Sequence, residues 1–203
     1  MASRLEKELR RPRVRRGSPA QTRTRLVAAS ARLFNRVGYH GTDSNQIARE
    51  AGYSTGVFYK HFTDKRDIFL AAYETWVASE WKAVENELSS GATREATARR
   101  LVDLTLDFHT RWKGLRASLL ELVFTDAKVR RFYRDQRRHQ LDLMAKIRKN
   151  MGAPSRRREQ DAIHLYTMER VGDAIARNEL RDLRLNREIV VAALVKKVAD
   201  LLA

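Results

Sequence analysis

Between Thr42 and Lys65 the chain reads TDSNQIAREAGYSTGVFYKHFTDK, a stretch dense in side chains that hydrogen-bond or carry positive charge. Their chemistry is recognition rather than bond making. Ser54, Thr55, Gly56 and Val57 open a short helical segment, and the first residues of such a segment are the ones that reach base edges in a DNA major groove. Thr55 offers a hydroxyl and a methyl, and Val57 can touch a thymine methyl. Gly56 lets backbone come close to a duplex. Further along the segment, Tyr59, Lys60 and His61 suit phosphate oxygens. Lys65 opens the next helix, where both its ammonium and the helix amides favour phosphate.

Positioning such a segment requires a tight turn between two helices. Ile47, Ala48 and Ala51 form an apolar strip at helical spacing, and Gly52 follows as a left-handed terminator. Asp43 and Gln46 have the spacing of a capping box, and Ser54 stands where it can cap the second helix. Phe58 and Phe62, four residues apart, are assigned to the core. Before this pair, Leu26, Ala29, Ser30, Leu33, Phe34 and Val37 predict an amphipathic helix over Pro19 to Val37, ended by Gly38. Three helices with this central turn are a helix-turn-helix.

Composition is consistent with that reading and narrows the alternatives. The 203 residues contain 9 Gly and 3 Pro, which suits a largely helical protein. A formal charge of +16 favours an anionic partner, and zero cysteines exclude disulfides, thiolate metal sites and a Cys nucleophile. With no apolar run near the roughly 20 residues of a membrane span and no signal-peptide pattern, the chain is expected to be soluble and cytoplasmic. His40, His61, His109, His139 and His164 form no metal-binding pattern, and P-loop, GxGxxG and GxSxG motifs are absent. Glu169 and Asp173 share a helix face and read as paired or solvated charges rather than a catalytic dyad. Neither enzyme activity nor a cofactor or metal is expected.

The run TRLVAASARLFNRVGYHGTDSNQIAREAGYSTGVFYKHFTDKRDIFLAA resembles the DNA-binding domain of the TetR/AcrR family. The features that carry the resemblance include Leu33-Phe34, Gly38-Tyr39, Thr42, Ile47-Ala48, Ala51-Gly52, Ser54, Gly56, Tyr59, His61-Phe62 and Lys65. It covers the first quarter to third of the chain. The resemblance implies an all-α protein, with a three-helix helix-turn-helix domain followed by a larger helical domain for ligand binding and dimerisation. It implies a homodimeric repressor of double-stranded DNA, released by a small-molecule effector. Positions matching Ser44, Tyr59, His61 and Lys65 would contact the DNA backbone, and the position matching Asn45 a base.

The domains are placed at 1–18 for a basic arm, 19–65 for the helix-turn-helix and 66–203 for the remainder. Arg10, Arg11, Arg13, Arg15 and Arg16 give the arm enough charge to follow phosphates or enter a minor groove, or simply to act as a solvated tail. Beyond Asp64 a long helix to about Leu88 is expected to connect the domains. Others follow from Thr93 to a break at Gly114, from Leu115 to Phe124, and from Asp126 to Asn150. Ser155, as a cap, begins a helix to Arg177, and Asn186 begins one to Leu202. Residues 155–202 carry the implied dimer interface. Phe108, His109, Trp112, Phe124, Tyr133, Met144, Tyr166 and Met168 are candidate pocket residues, although the same types build an ordinary core. The alternative to a ligand-controlled regulator is a ligand-independent architectural or nucleoid-associated DNA binder.

Overall fold

A computed structural model describes residues 17–152 and 154–202, and these are helical with no strand among them. The arginine arm, Arg10 to Arg16, lies outside the described residues. The chain divides into two compact units between Thr75 and Trp76.

In the N-terminal unit, α1 (Pro19–Val37), α2 (Ser44–Glu50) and α3 (Thr55–Tyr59) precede the start of α4 (Lys65–Leu88). Each boundary has a local cause. Ser18 and Gln21 form a capping box at α1, with Pro19 supplying a preset φ at the first helical position. At α2 the expected box forms, with the Gln46 N–H donating to Asp43 Oδ1 at 2.8 Å and the Asp43 N–H to Gln46 Oε1 at 3.2 Å. The α2–α3 turn closes when the Tyr53 N–H reaches the Ala48 carbonyl and the Gly52 N–H that of Arg49. This bonding pattern needs Gly52 in the left-handed region, and its φ is 81°.

Leu26, Phe34, Ile47, Phe58, Ile68 and Phe69 are fully buried at the centre of this unit. Phe34 meets the edge of Phe69 at 5.1 Å, and Tyr39 stacks on Phe34 at 5.8 Å. Phe58 and Phe62 are both buried, their rings 5.8 Å apart. Burial of a large aromatic stabilises by roughly 1.5–3 kcal/mol, so this cluster is what holds a five-residue helix that could not persist alone. At Gly41 a methyl group would lie 2.4 Å from the Val37 carbonyl oxygen, which is why glycine ends the turn leading to α2.

Trp76 begins the C-terminal unit, which holds the second half of α4 with α5 (Arg94–Arg111), α6 (Lys113–Thr125), α7 (Ala127–Asn150), α8 (Arg158–Ala176), α9 (Glu179–Asp182) and α10 (Arg187–Leu201). Helix α5 packs on both α8 and α10, while α7 packs on α6 and α8. Ala98, Val102 and Leu106 of α5 face Met168 of α8 and Val191, Leu194 and Val198 of α10 in one apolar cluster. Gly172 brings α8 close to α5, because a methyl there would lie 2.9 Å from the His109 ring.

Several expected boundaries differ. Gly114 lies inside α6, and the chain turns instead at Trp112. Ser155 does not cap α8; the helix starts at Arg158, and Gln160 Oε1 accepts from the Arg157 N–H at 3.1 Å. Helix α9, four residues long, is too short to show a period in sequence.

Candidate nucleic-acid interface and ligand cavity

In the N-terminal unit the side chains of α2 and α3 meet where base contacts were expected. Thr55 Oγ1 donates to Asn45 Oδ1 at 2.7 Å, so the two candidate base-reading residues are held as a pair. This leaves the Asn45 amide nitrogen and the Thr55 oxygen lone pairs as the outward chemistry. Ser54 occupies the cap position of α3 but makes no side-chain capping bond. A methyl at Gly56 would meet only Ser54 Oγ, 4.0 Å away, so nothing inside the protein requires glycine there. Tyr59 and Lys60 are exposed, whereas Ser44, Val57 and His61 are half-buried.

Lys65 is committed more deeply to the fold. Its ammonium donates to the carbonyls of Tyr39 at 3.0 Å and Thr42 at 2.9 Å and lies 4.2 Å from the centre of the Tyr39 ring. Burial lowers its pKa, with Asp43 acting in the opposite sense. One ammonium hydrogen remains. The expected help from the helix amides meets a competitor: Asp64 Oδ1 already accepts from the Asp67 N–H at 2.7 Å, and Asp67 Oδ2 from the Thr63 N–H at 2.9 Å. Replacing Lys65 with methionine removes both charged hydrogen bonds and is expected to lower the stability of this unit by about 1–3 kcal/mol. Thermal unfolding of the variant checks it.

The C-terminal unit contains a cavity of about 170 Å³. Trp81, Val84, Leu101, Met144, Leu165 and Met168 supply apolar wall; Glu80, His109, Gln140 and Glu169 lie toward one end, and Arg148, Arg156, Asp161 and His164 toward the other. Of the candidate pocket residues, His109, Met144 and Met168 line it. Phe108, Trp112, Phe124, Tyr133 and Tyr166 are not among its lining. Phe124 is 80% exposed at the end of α6, and Tyr133 and Tyr166 flank the Arg137 guanidinium at 4.5 and 5.8 Å.

Behind the cavity wall is a buried charge network. Arg116 Nε donates to Asp173 Oδ1 at 2.6 Å and its Nη2 to Glu169 Oε2 at 3.2 Å. His109 Nδ1 lies 2.9 Å from the same Asp173 oxygen. Arg137 bonds Glu169, Gln140 and Tyr133. Burial pushes the Asp173 carboxyl up, but hydrogen bonds from His109 and Arg116, with their charges, outweigh it and hold the group down at about 2. Glu169 and Asp173 are thus paired charges.

Two cavity residues were not singled out by sequence. Burial and the neighbouring Glu169 push the Glu80 carboxyl up to about 7, despite Arg116 and Arg137. Burial, then the charge of Lys197, pushes His164 down to about 4, and its Nδ1 is buried with no hydrogen-bond partner. The readable signal for Glu80 is the stripe Trp76, Glu80, Val84, Leu88, where a carboxylate interrupts an apolar i, i+4 series.

The chain thus joins a helix-turn-helix unit to an all-helical unit that contains a cavity. Residues 26–72 match the sequence family described as bacterial regulatory proteins, tetR family. The HTH-type transcriptional regulator HbdR of Aromatoleum sp. (strain CIB) is 46% identical over 50 residues, 25% of this chain and 22% of that protein. The chain spans less than half the length of the curated relatives it matches. Similarity of fold extends further. A transcriptional regulator from Saccharomonospora viridis in complex with choline superposes with a TM-score of 0.63 at 22% identity, covering 89% of this chain and 95% of that one. FadR from Bacillus subtilis, in complex with stearoyl-CoA, gives 0.60 at 17% identity, covering 88% and 96%.

Proposed function

We propose that this protein is a sequence-specific transcriptional repressor that binds double-stranded DNA as a homodimer and is released by a small molecule bound in the C-terminal cavity. The observation that carries the DNA reading is the first turn of α3, where Gly56 has no steric reason inside the fold and Thr55 is locked to Asn45. Asn45, Thr55 and Val57 read bases, and Ser44, Ser54, Tyr59, Lys60, His61 and Lys65 hold phosphates. The arginine arm adds salt-dependent affinity.

Dimerisation draws support from apolar residues left in water on α8 and α10. Ile163, Tyr166 and Ile189 are 62%, 54% and 69% exposed although each sits in a helix that buries its opposite face. A two-fold dimer also doubles the bases read, which one helix-turn-helix cannot do alone. The fold neighbours bound to choline and to stearoyl-CoA support a ligand in the cavity. Such a ligand acts by favouring one spacing of the two recognition helices, with a coupling of roughly 1–3 kcal/mol.

Selection of bound sequences from a random DNA pool tests the reading. A palindrome with half-sites one or more helical turns apart is the expected result; binding without sequence preference would instead indicate an architectural DNA binder. In the same assay Gly56→Ala is expected to weaken the selected site about tenfold or more, a loss of about 1.4 kcal/mol. The free protein should become more stable by about 0.5–1 kcal/mol, as alanine replaces glycine within a helix. Wild-type affinity in this variant would mean that α3 does not approach the groove by its first turn.

A further inference from the structure

At the end of the cavity near Glu80 the carboxylates of the protein are unevenly paired. Glu80 from α4 and Glu169 and Asp173 from α8 stand against Arg116 from α6, Arg137 from α7 and the His109 ring from α5. Both guanidiniums are engaged by Glu169 and Asp173, and the α5 residue His109 also bonds Asp173. Among the described residues no hydrogen bond or ion pair reaches the Glu80 carboxylate, although it lines the cavity and is half-buried there. At the other end one guanidinium is paired with a carboxylate and another bonds a neutral backbone carbonyl. Arg148 bonds Asp161, and Arg156 donates to the Asp200 carbonyl. Glu80 is therefore the lining carboxylate that no cation of the protein bonds, whereas Glu169 is held by Arg116 and Arg137 and Asp161 by Arg148.

We propose that the cavity takes an amphipathic monocation, an apolar body bearing one ammonium-type group, with the charge held against the Glu80 carboxylate. This rests on the cavity being the effector site. Trp81, next to Glu80 in sequence and also in the wall, adds an aromatic side chain of the kind that attracts cations. Val84, Leu101, Met144 and Met168 receive the apolar body. The volume, about 170 Å³, is similar to the ~150 Å³ of an engineered apolar cavity that binds benzene, so a single ring fits. A carboxylate ligand would instead face Glu80 and Glu169 together. A neutral ligand filling the cavity would cover Glu80 without pairing it, which is costly for a charged group. His164 Nδ1, buried without a partner and lining the cavity, adds one hydrogen-bonding position toward the other end.

Calorimetric titration of the full chain with three ring-sized probes decides the matter: benzyltrimethylammonium, its uncharged carbon isostere neopentylbenzene, and phenylacetate. At pH 8 the cation is expected to bind at least about tenfold tighter than the isostere, and phenylacetate weakest. Because Glu80 titrates near 7, acidification from pH 8 to 6 protonates it and should weaken the cation about tenfold while leaving the isostere unchanged. Glu80→Gln should bind cation and isostere alike, with no such pH dependence. This variant retains His109, Glu169, Arg116, Arg137 and Asp173, so their titration is present in both proteins. The three-probe comparison in the wild type stands even if the variant does not fold. Equal or tighter binding of the isostere or of phenylacetate overturns the monocation assignment and leaves a ligand cavity in place. Failure of all three probes to bind overturns the effector-site reading together with it.

Discussion

Replacing Arg116 with methionine lowers the stability of the C-terminal unit by about 3–5 kcal/mol, the usual cost of breaking a buried ion pair from one side. Arg116 is 4% exposed, and both of its carboxylate partners lie on one face of α8. Removing it leaves Asp173 with the His109 ring and leaves Glu169 to Arg137, while Glu80 loses one of the two cations that offset its burial. Globular domains are stable by only about 5–15 kcal/mol, so the variant approaches the limit of folding. Urea unfolding followed by circular dichroism measures the loss. Arg116→Met with Asp173→Leu is expected to recover part of it, because a buried pair replaced together by apolar residues is often nearly neutral. A single variant as stable as the wild type would show that the network holds nothing together.

The second large effect concerns acid. Glu80, raised from 4.5 to about 7, binds its proton more tightly folded than unfolded. Its charged form therefore opposes folding at pH 8, and that opposition disappears as pH falls from 7 to 4.5. His164 runs the other way. Lowered from 6.5 to about 4, it stays neutral when folded while the unfolded chain gains a proton, so stability is lost as pH falls from 6.5 to 4. Each contribution is on the order of 3 kcal/mol. Their windows overlap, so the wild type is expected to change little between pH 7 and 4.5. Glu80→Gln exposes the histidine, and its stability should fall by about 3 kcal/mol over the same range. His164→Gln exposes the carboxyl and should become more stable on acidification. Below this range Asp173, held at about 2, withdraws its own contribution as it protonates. Denaturant titrations of the three proteins at pH 7 and 4.5 check the pattern; parallel behaviour in all three would remove both residues from the account.

Much of the N-terminal unit was legible because its determinants are local. A capping box at Asp43 and Gln46, a left-handed Gly52 and the Phe58/Phe62 pair act within a few residues, so their spacing in sequence is their geometry in space. The long helices of the C-terminal unit were legible for the same reason, by period and by the Asn186 cap. Pairing across distant segments was not. Aromatic size suggested Phe124 and Tyr166 for a pocket, yet both are exposed.

By itself the sequence determined the helix-turn-helix, its family resemblance and the all-helical class. Only the tertiary structure decided that Lys65 braces the Tyr39–Thr42 turn, and that Arg116 closes a network with residues more than fifty positions away. It alone revealed Glu80 as a carboxylate in the cavity wall. The physical reason is that periodicity encodes which face of a helix is buried, whereas the partner of a buried charge depends on which helices pack together, and a charged residue in a helical sequence looks the same whether it faces water or a cavity.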